Sequence, residues 1–410
     1  MLQPIAVGHK SLADYTHLTG RGLVDEIRTL AEELEGLRVL HVSATAFGGG
    51  VSEILYTLVP LMKDVGIEVE WQVMLGREEF YNVTKLLHNA LQGNPSSLDD
   101  AQWEVFERYN ELNAREISGG WDVIIVHDPQ PAAIHGHVPD KARTWIWRCH
   151  IDLSTPNPSA IKRMVPFVQD YDVSVFHRQE YVPAGLNGGG VRICPPAIDP
   201  LSPKNMALSP EDAAYVCDQF GIDVDRPLLC QVSRFDPWKD PIGVIDAYRL
   251  VHAEMPEVQL ALVGSMATDD PEGWEFFNTT MAYAEGDPDI HILNNLNNVG
   301  AIEVNAFQSQ ADVVIQKSIR EGFGLTVAEA LWKARPFIGG DVGGIPLQVE
   351  DGKTGYLVSS PEECAERALR ILREPGLGKQ LGRGGKEHVR THFLTPRLLR
   401  DWLRIFKERQ

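Results

Sequence analysis

The segment IREGFGLTVAEALWK, residues 319–333, carries two carboxylates eight positions apart, Glu321 and Glu329, around a Gly-Phe-Gly turn. A helix is expected from about Leu325, with Leu325, Ala328, Leu331 and Trp332 on its apolar face. The amides of Gly324, Leu325 and Thr326 would then lack intrahelical acceptors and could hold an anion. Were the whole stretch helical, its rise would part the two carboxylates by about 12 Å. Hydrolytic carboxylate pairs stand roughly 5–9.5 Å apart, so a two-carboxylate glycosidase is disfavoured. Carboxylates spread along a phosphate-binding helix start suit polyol hydroxyls instead, one on a sugar and one on a ribose.

Three further segments could take part. SRFDPWKD, residues 233–240, places Arg234 and Lys239 just past an expected strand end. In an acidic chain such a pair reads either as a diphosphate clamp, a guanidinium fork with an ammonium point charge, or as an ordinary solvated pair. AFGGGVSEIL, residues 46–55, puts glycines between a strand and a helix, where backbone N–H groups approach a ligand at the positive end of the helix dipole. It is neither G-x-G-x-x-G nor a P-loop, and a tight turn without a ligand is the other reading. VHDPQP (126–131) and WRCHIDLS (147–154) end two strands with Asp128 and His150.

The remaining polar groups carry less. Asp287-Pro-Asp289 spells D-x-D but falls in a turn before a strand, and His135 and His137 have no third ligand nearby, so no metal site is expected. Asp269, Asp270 and Pro271 read as turn residues at the edge of a strand-end loop.

The elements that must position these residues form a rhythm of apolar runs separated by helical or loop sequence. After an amphipathic helical stretch at 9–35 come strands at 37–44, 67–74, 121–128, 143–150 and 172–177, with a helix over 51–65. Runs apolar on both faces predict a parallel sheet covered on both sides. CPPAIDPLSPKN (194–205) has four prolines in twelve residues and reads as a linker. The rhythm then restarts at 226–233, 258–264, 289–293, 311–316, 336–340 and 354–358. Two doubly wound α/β domains follow, with chemistry expected in the loops beyond the strands' carboxyl ends.

Composition narrows the partners. With 38 Lys and Arg against 57 Asp and Glu in 410 residues, the net charge is −19. No basic stripe for nucleic acid or an anionic membrane is visible, so any bound phosphate needs a few placed cations and backbone amides. No apolar run reaches the ~18 residues of a membrane span, and the N-terminal residues show no signal-peptide pattern. Five cysteines without C-x-x-C spacing read as reduced thiols of a cytoplasmic protein.

Together, SATAFGGGVSEIL, HDPQPA, WRCHIDLS, VSRFDPWKD, DDPEGW and IREGFGLTVAEALWK resemble the retaining glycosyltransferases of the GT-B architecture, in the branch of sucrose and glycogen synthases. More narrowly, the chain is similar to the trehalose glycosyltransferring synthases over about residues 37–360. The resemblance implies an α/β GT-B fold: two Rossmann-like domains facing a central cleft, 1–197 on the acceptor side and 198–390 for the nucleotide sugar. A C-terminal helix at about 391–410 would return to the first domain. It implies that Gly49 and Gly50 approach a donor diphosphate that Arg234 and Lys239 neutralise, and that Glu329 binds the donor ribose. Glu321 and the backbone of Gly322, Phe323, Gly324 and Leu325 would hold the transferred glucose, with His150 and Asp128 beside the reacting sugars. The implied reaction moves glucose from a nucleoside-diphosphate glucose to free glucose, giving α,α-trehalose by front-face attack without a protein nucleophile. No tightly bound cofactor is implied, although Mg could accompany the free nucleotide, and a homodimer is the family expectation. Retaining trehalose phosphorylases share much of the pattern, including Gln316, Lys317 and Ser318, and a catalytically silent sugar-nucleotide sensor would use the same clamp.

Overall fold

The apolar runs of the first half form one sheet of seven strands: β1 (Leu2–Pro4), β2 (Arg38–Ser43), β3 (Glu68–Met74), β4 (Trp121–His127), β5 (Ala142–Arg148), β6 (Val173–Phe176) and β7 (Gly190–Ile193). The structure is a computed structural model and describes residues 2–186, 189–266 and 271–409. Strand order is β1-β3-β2-β4-β5-β6-β7, with β1 antiparallel to β3 and every other pair parallel. Leu40, Val42, Ile124, Val126, Trp145 and Trp147 lie in its buried core, as expected for strands covered on both faces. The chain steps from β2 outward to β3, then back across to β4, so the order reverses between β2 and β4. Ligands of open α/β sheets bind beyond the strands' carboxyl ends at such a reversal.

The second half repeats the plan with β8 (Leu228–Val232), β9 (Gln259–Gly264), β10 (Ile290–Asn294), β11 (Val313–Gln316), β12 (Phe337–Gly340) and β13 (Tyr356–Val358). Its order is β10-β9-β8-β11-β12-β13, parallel throughout, and the reversal falls between β8 and β11. The chain divides into two units: Met1–Ala197 with Thr395–Gln410, and Ile198–Leu394. The fold is therefore α/β with two parallel-sheet Rossmann-like units.

Helix Thr395–Lys407 belongs to the first unit and packs on helix Arg21–Glu32. Leu398, Trp402 and Phe406 are buried, and its rim pairs Arg404 with Glu26 and Lys407 with Glu33. Arg397 donates to the carbonyls of Pro195 at 2.9 Å and Pro196 at 2.7 Å, tying this helix to the segment that leaves the first unit.

Two local expectations are corrected, and two strands are added. The 9–35 stretch is a 3-10 turn (Leu12–Tyr15), a short helix (Thr16–Thr19) and a longer one (Arg21–Glu32), interrupted at Gly20, whose φ of 85° no helix contains. The C-terminal helix starts at Thr395, not 391, because Thr391 and His392 end helix Pro375–His392. Pro396 sits where a first helical turn tolerates the missing N–H. Strands β1 and β7 had no sequence signal: both are short edge strands with few buried residues. Among the described residues no helix is long and apolar enough to cross a membrane. All five cysteines are buried free thiols.

Candidate active site

At the reversal of the second sheet, the loops after β8 and β11 are fastened to each other. The Trp238 carbonyl accepts the Ile319 N–H at 2.9 Å, and Lys239 Nζ donates to Glu321 Oε2 at 2.7 Å. Lys317 pairs with Asp240, a left-handed residue (φ 50°) whose side chain also caps helix Pro241–Glu254. Ser318 Oγ donates to Glu321 Oε2 at 3.3 Å, so that oxygen receives both an ammonium and a hydroxyl. Lys239 is held by a 3-10 turn that Asp236 caps, and its carbonyl accepts from Gln231 Nε2 at 2.7 Å. Arg234 is placed differently: its side chain is 60% exposed and pairs with Asp236 at 3.1 Å.

Gly322, Phe323 and Gly324 lead into helix Leu325–Trp332, whose N-cap Gly324 is left-handed and supplies no side-chain cap. The first-turn amides of Leu325 and Thr326 therefore keep the orientation that favours an anion. Phe323 is buried, so it offers a ligand its backbone and not its ring. A Cβ on Gly344 would come within 2.6 Å of the Gly322 carbonyl and of Phe323 Cα, so a glycine there lets a second loop press on this turn. Gln348 Nε2 donates to the Phe323 carbonyl at 2.6 Å, fixing it further.

Glu329 lies inside the helix and is 2% exposed. Lys204 Nζ stands 4.0 Å from Glu329 Oε1, and Lys333 Nζ donates to Asn205 Oδ1 at 3.1 Å and to the Glu329 carbonyl at 3.2 Å. Burial brings the Lys333 ammonium down to about 8, against the opposing pull of Glu329. The two glutamates thus differ in electrostatic company. Glu321 meets Lys239 from the neighbouring loop, whereas Glu329 sits within reach of Lys204 and Lys333.

In the first unit, Gly48 takes a φ of 78°, Gly49 is the extended N-cap of helix Gly50–Asp64, and no side chain caps that helix. Phe47, just before them, is 75% exposed. Beyond β4, Asp128 is left-handed (φ 70°), and its Oδ1 accepts the His150 N–H at 2.7 Å. Burial lifts the Asp128 carboxyl to about 7, with the His150 N–H and Arg148 pulling the other way. His150 is the third member of a row of rings across four neighbouring strands. His41 Nδ1 lies 2.9 Å from His127 Nε2, His127 Nδ1 lies 3.0 Å from His150 Nε2, and the His177 ring meets His150 edge-on. Burial drives His41 down to about 3 and holds His127 and His150 well below the usual imidazole range, Arg148 adding to the effect on both.

The raised Asp128 gives a signed prediction. Below about pH 4 its carboxyl is protonated in the folded and the unfolded chain. Between about 4 and 7 the unfolded chain releases the proton that the folded chain keeps, so this group subtracts stability as pH rises. Asp128→Asn keeps an oxygen for the His150 N–H and tolerates the left-handed backbone. Its Tm is expected to match wild type near pH 4 and to exceed it at pH 8, read by thermal melts at the two pH values. A wild-type advantage at pH 8 would contradict the assignment.

Sequence reading missed His41, His127, Lys204, Lys333 and Asp240. The histidines had one usable signal: each is a polar residue within or at the end of an apolar strand. Among the described residues no group of three His, Cys, Asp or Glu converges to hold a metal. Asp289 of the D-x-D turn pairs with Arg226 at 2.8 Å, and His135 packs its ring on Trp145 and Tyr171. Asp269 and Asp270 lie outside the described residues.

Comparison with known proteins identifies the pattern. Residues 41–183 match the family model "Trehalose synthase, N-terminal domain", and residues 217–388 match "Glycosyl transferases group 1". The chain is 57% identical to a trehalose synthase of Rubrobacter xylanophilus, over 99% of both chains. A trehalose phosphorylase of Pleurotus pulmonarius is more distant, 27% identical over 96% of this chain and 60% of its own. Among solved structures, an α,α-trehalose-phosphate synthase (UDP-forming) of Burkholderia xenovorans superposes with a TM-score of 0.74 at 14% identity, covering 90% of this chain and all of that one. That likeness gives the fold, GT-B, and the sequence match gives the rest: the chain belongs to the trehalose synthase family of glycosyltransferases.

Proposed function

We propose that this protein moves glucose from a nucleoside-diphosphate glucose to the anomeric hydroxyl of free glucose, with retention, forming α,α-trehalose reversibly. The observation that carries the reading is the 2.7 Å contact of Lys239 with Glu321 at the reversal of the second sheet. A cation and a carboxylate on adjoining strand-end loops suit a substrate with a diphosphate next to a polyol. In this reading Lys239 and Arg234 meet the diphosphate, which the Gly49–Gly50 amides also approach. Glu321 and the backbone of Gly322–Leu325 bind the transferred glucose, and Glu329 binds the donor ribose. His150 and Asp128 stand beside the sugars. The bond from glucose C1 to the leaving phosphate oxygen breaks while the acceptor oxygen bonds C1 on the same face, and that phosphate oxygen takes the acceptor's proton. No protein nucleophile and no tightly bound cofactor enters, although Mg could accompany the released nucleotide. Five buried thiols suit a reducing compartment, so we place the enzyme in the cytoplasm, as a homodimer by family resemblance.

Two parallel reactions test the proposal. Nucleoside-diphosphate glucose with glucose is expected to give trehalose and nucleoside diphosphate, and the reverse mixture to regenerate the donor. Trehalose with inorganic phosphate is expected to give little glucose 1-phosphate. A dominant second reaction would make the protein a phosphorylase and remove the ribose role of Glu329. Donor binding without product in either would make it a sensor or direct it to another acceptor.

A further inference from the structure

We propose that His41 and His127 form a neutral imidazole relay that fixes His150 as the Nδ1–H tautomer, so that His150 donates a hydrogen bond to a sugar oxygen and does not act as a base. The catalytic consequence rests on the glucosyl-transfer reading, whereas the relay itself rests on geometry alone.

A neutral imidazole has one N–H and one lone pair. His127 uses both ring nitrogens, at 2.9 Å to His41 and 3.0 Å to His150, so one contact must be donated and the other accepted. The row therefore has only two arrangements. Either every proton sits on Nδ1 and the row donates toward His150, or every proton sits on Nε2 and it donates toward His41. The inner end decides between them. His41 Nε2 is buried and has no hydrogen-bond partner among the described residues. Proton on Nε2 would bury an N–H without an acceptor, which proteins avoid more strictly than an unused lone pair. The Trp402 ring offers little in exchange, since its centroid is 6.4 Å from that of His41, at the far end of edge-to-face distances of about 4.5–7 Å. The Nδ1–H arrangement wins, and its outer end is His150 Nδ1–H, on the half-buried ring of the row.

A cationic ring would free the row from this constraint. The buried Arg148 guanidinium, two residues before His150 and opposite His127 in the β4–β5 register, works against one. His41 and His127 touch no substrate in this scheme; they are positioning residues.

Ring-¹⁵N-histidine labelling reads tautomers directly through long-range ¹H–¹⁵N correlations, and the His41, His127 and His150 signals are assigned by their loss in single variants. All three are expected as Nδ1–H in the wild-type protein. His41→Leu removes the inner donor and is expected to let His150 populate Nε2–H, with kcat/KM falling about five- to tenfold as one donor is lost. In His41→Asn the side-chain amide nitrogen takes the place of Nδ1, so the His150 tautomer is expected to be retained. Nε2–H or imidazolium at wild-type His150 would overturn the relay. So would an unchanged His150 in folded His41→Leu, or loss of the tautomer in folded His41→Asn. Should His41→Leu fail to fold, the wild-type and His41→Asn spectra decide. Correct tautomers without trehalose formation would leave the relay standing and refute the reaction instead.

Discussion

Lys239→Ala is expected to lower kcat/KM for the nucleotide-sugar donor about 10²- to 10³-fold, the cost of removing a preorganised charge from a polar transition state. Two losses coincide at this residue. The donor phosphate loses an ammonium, and Glu321, only 7% exposed, loses the lysine that meets its Oε2 beside the Ser318 hydroxyl. The second loss reaches the fold, since leaving a buried carboxylate short of a charged partner costs about 1.5–3 kcal/mol. Thermal melts should therefore show K239A destabilised, and Glu321→Gln in the same chain should recover part of that stability. Coupling of this kind is the mark of contacting residues. Arg234→Ala is the control. Its guanidinium is mostly exposed and its partner Asp236 has a second duty as a cap, so the expected loss is about tenfold in donor use with an unchanged Tm. Wild-type kinetics in both variants would refute the clamp.

Glu329→Gln and Glu321→Gln are expected to fail in different constants. Glu329→Gln should raise the donor KM about 30- to 100-fold and weaken binding of nucleoside diphosphate alone, because a charge-assisted contact to a ribose is made equally in ground and transition states. Glu321→Gln should lower kcat by a similar factor and leave nucleoside-diphosphate binding nearly intact, since its sugar contact tightens only as the reaction proceeds. The surroundings support the contrast. Glu329 is fixed within a helix between Lys204 and Lys333, a setting suited to static recognition, while Glu321 sits on a loop joined to another loop. Isothermal titration with nucleoside diphosphate separates the two. Equal loss of affinity in both variants would sink the assignment.

Much of this was legible in the chain itself. The interior strands announce themselves because both faces are covered, so runs such as VIIVH and LALVG have no polar alternation to confuse them. Glu321 and Glu329 were legible by position, one acid before an apolar helix and one within it. β1 and β7 were not, because an edge strand of three or four half-exposed residues has no periodicity to read. The histidine row was hidden more deeply. His41, His127, His150 and His177 are far apart in sequence, and only the strand register, which sets His41 opposite Ile125 and His127 opposite Arg148, brings their rings into line. The partners of Glu329 were hidden likewise, Lys204 in a segment read only as a linker.

Helix Thr395–Lys407 has a further consequence, in time. The first unit needs its Trp402 against His41 and its Arg397 on the Pro195 and Pro196 carbonyls, yet the whole of Ile198–Leu394 separates it from the rest of that unit. A ribosome adding 5–20 residues per second takes about 10–40 s over that stretch. The part of the chain made first is thus finished last, while the second unit, contiguous from end to end, has all its residues before the first has its closing helix. Nascent molecules must carry an open apolar flank on the early half throughout that interval.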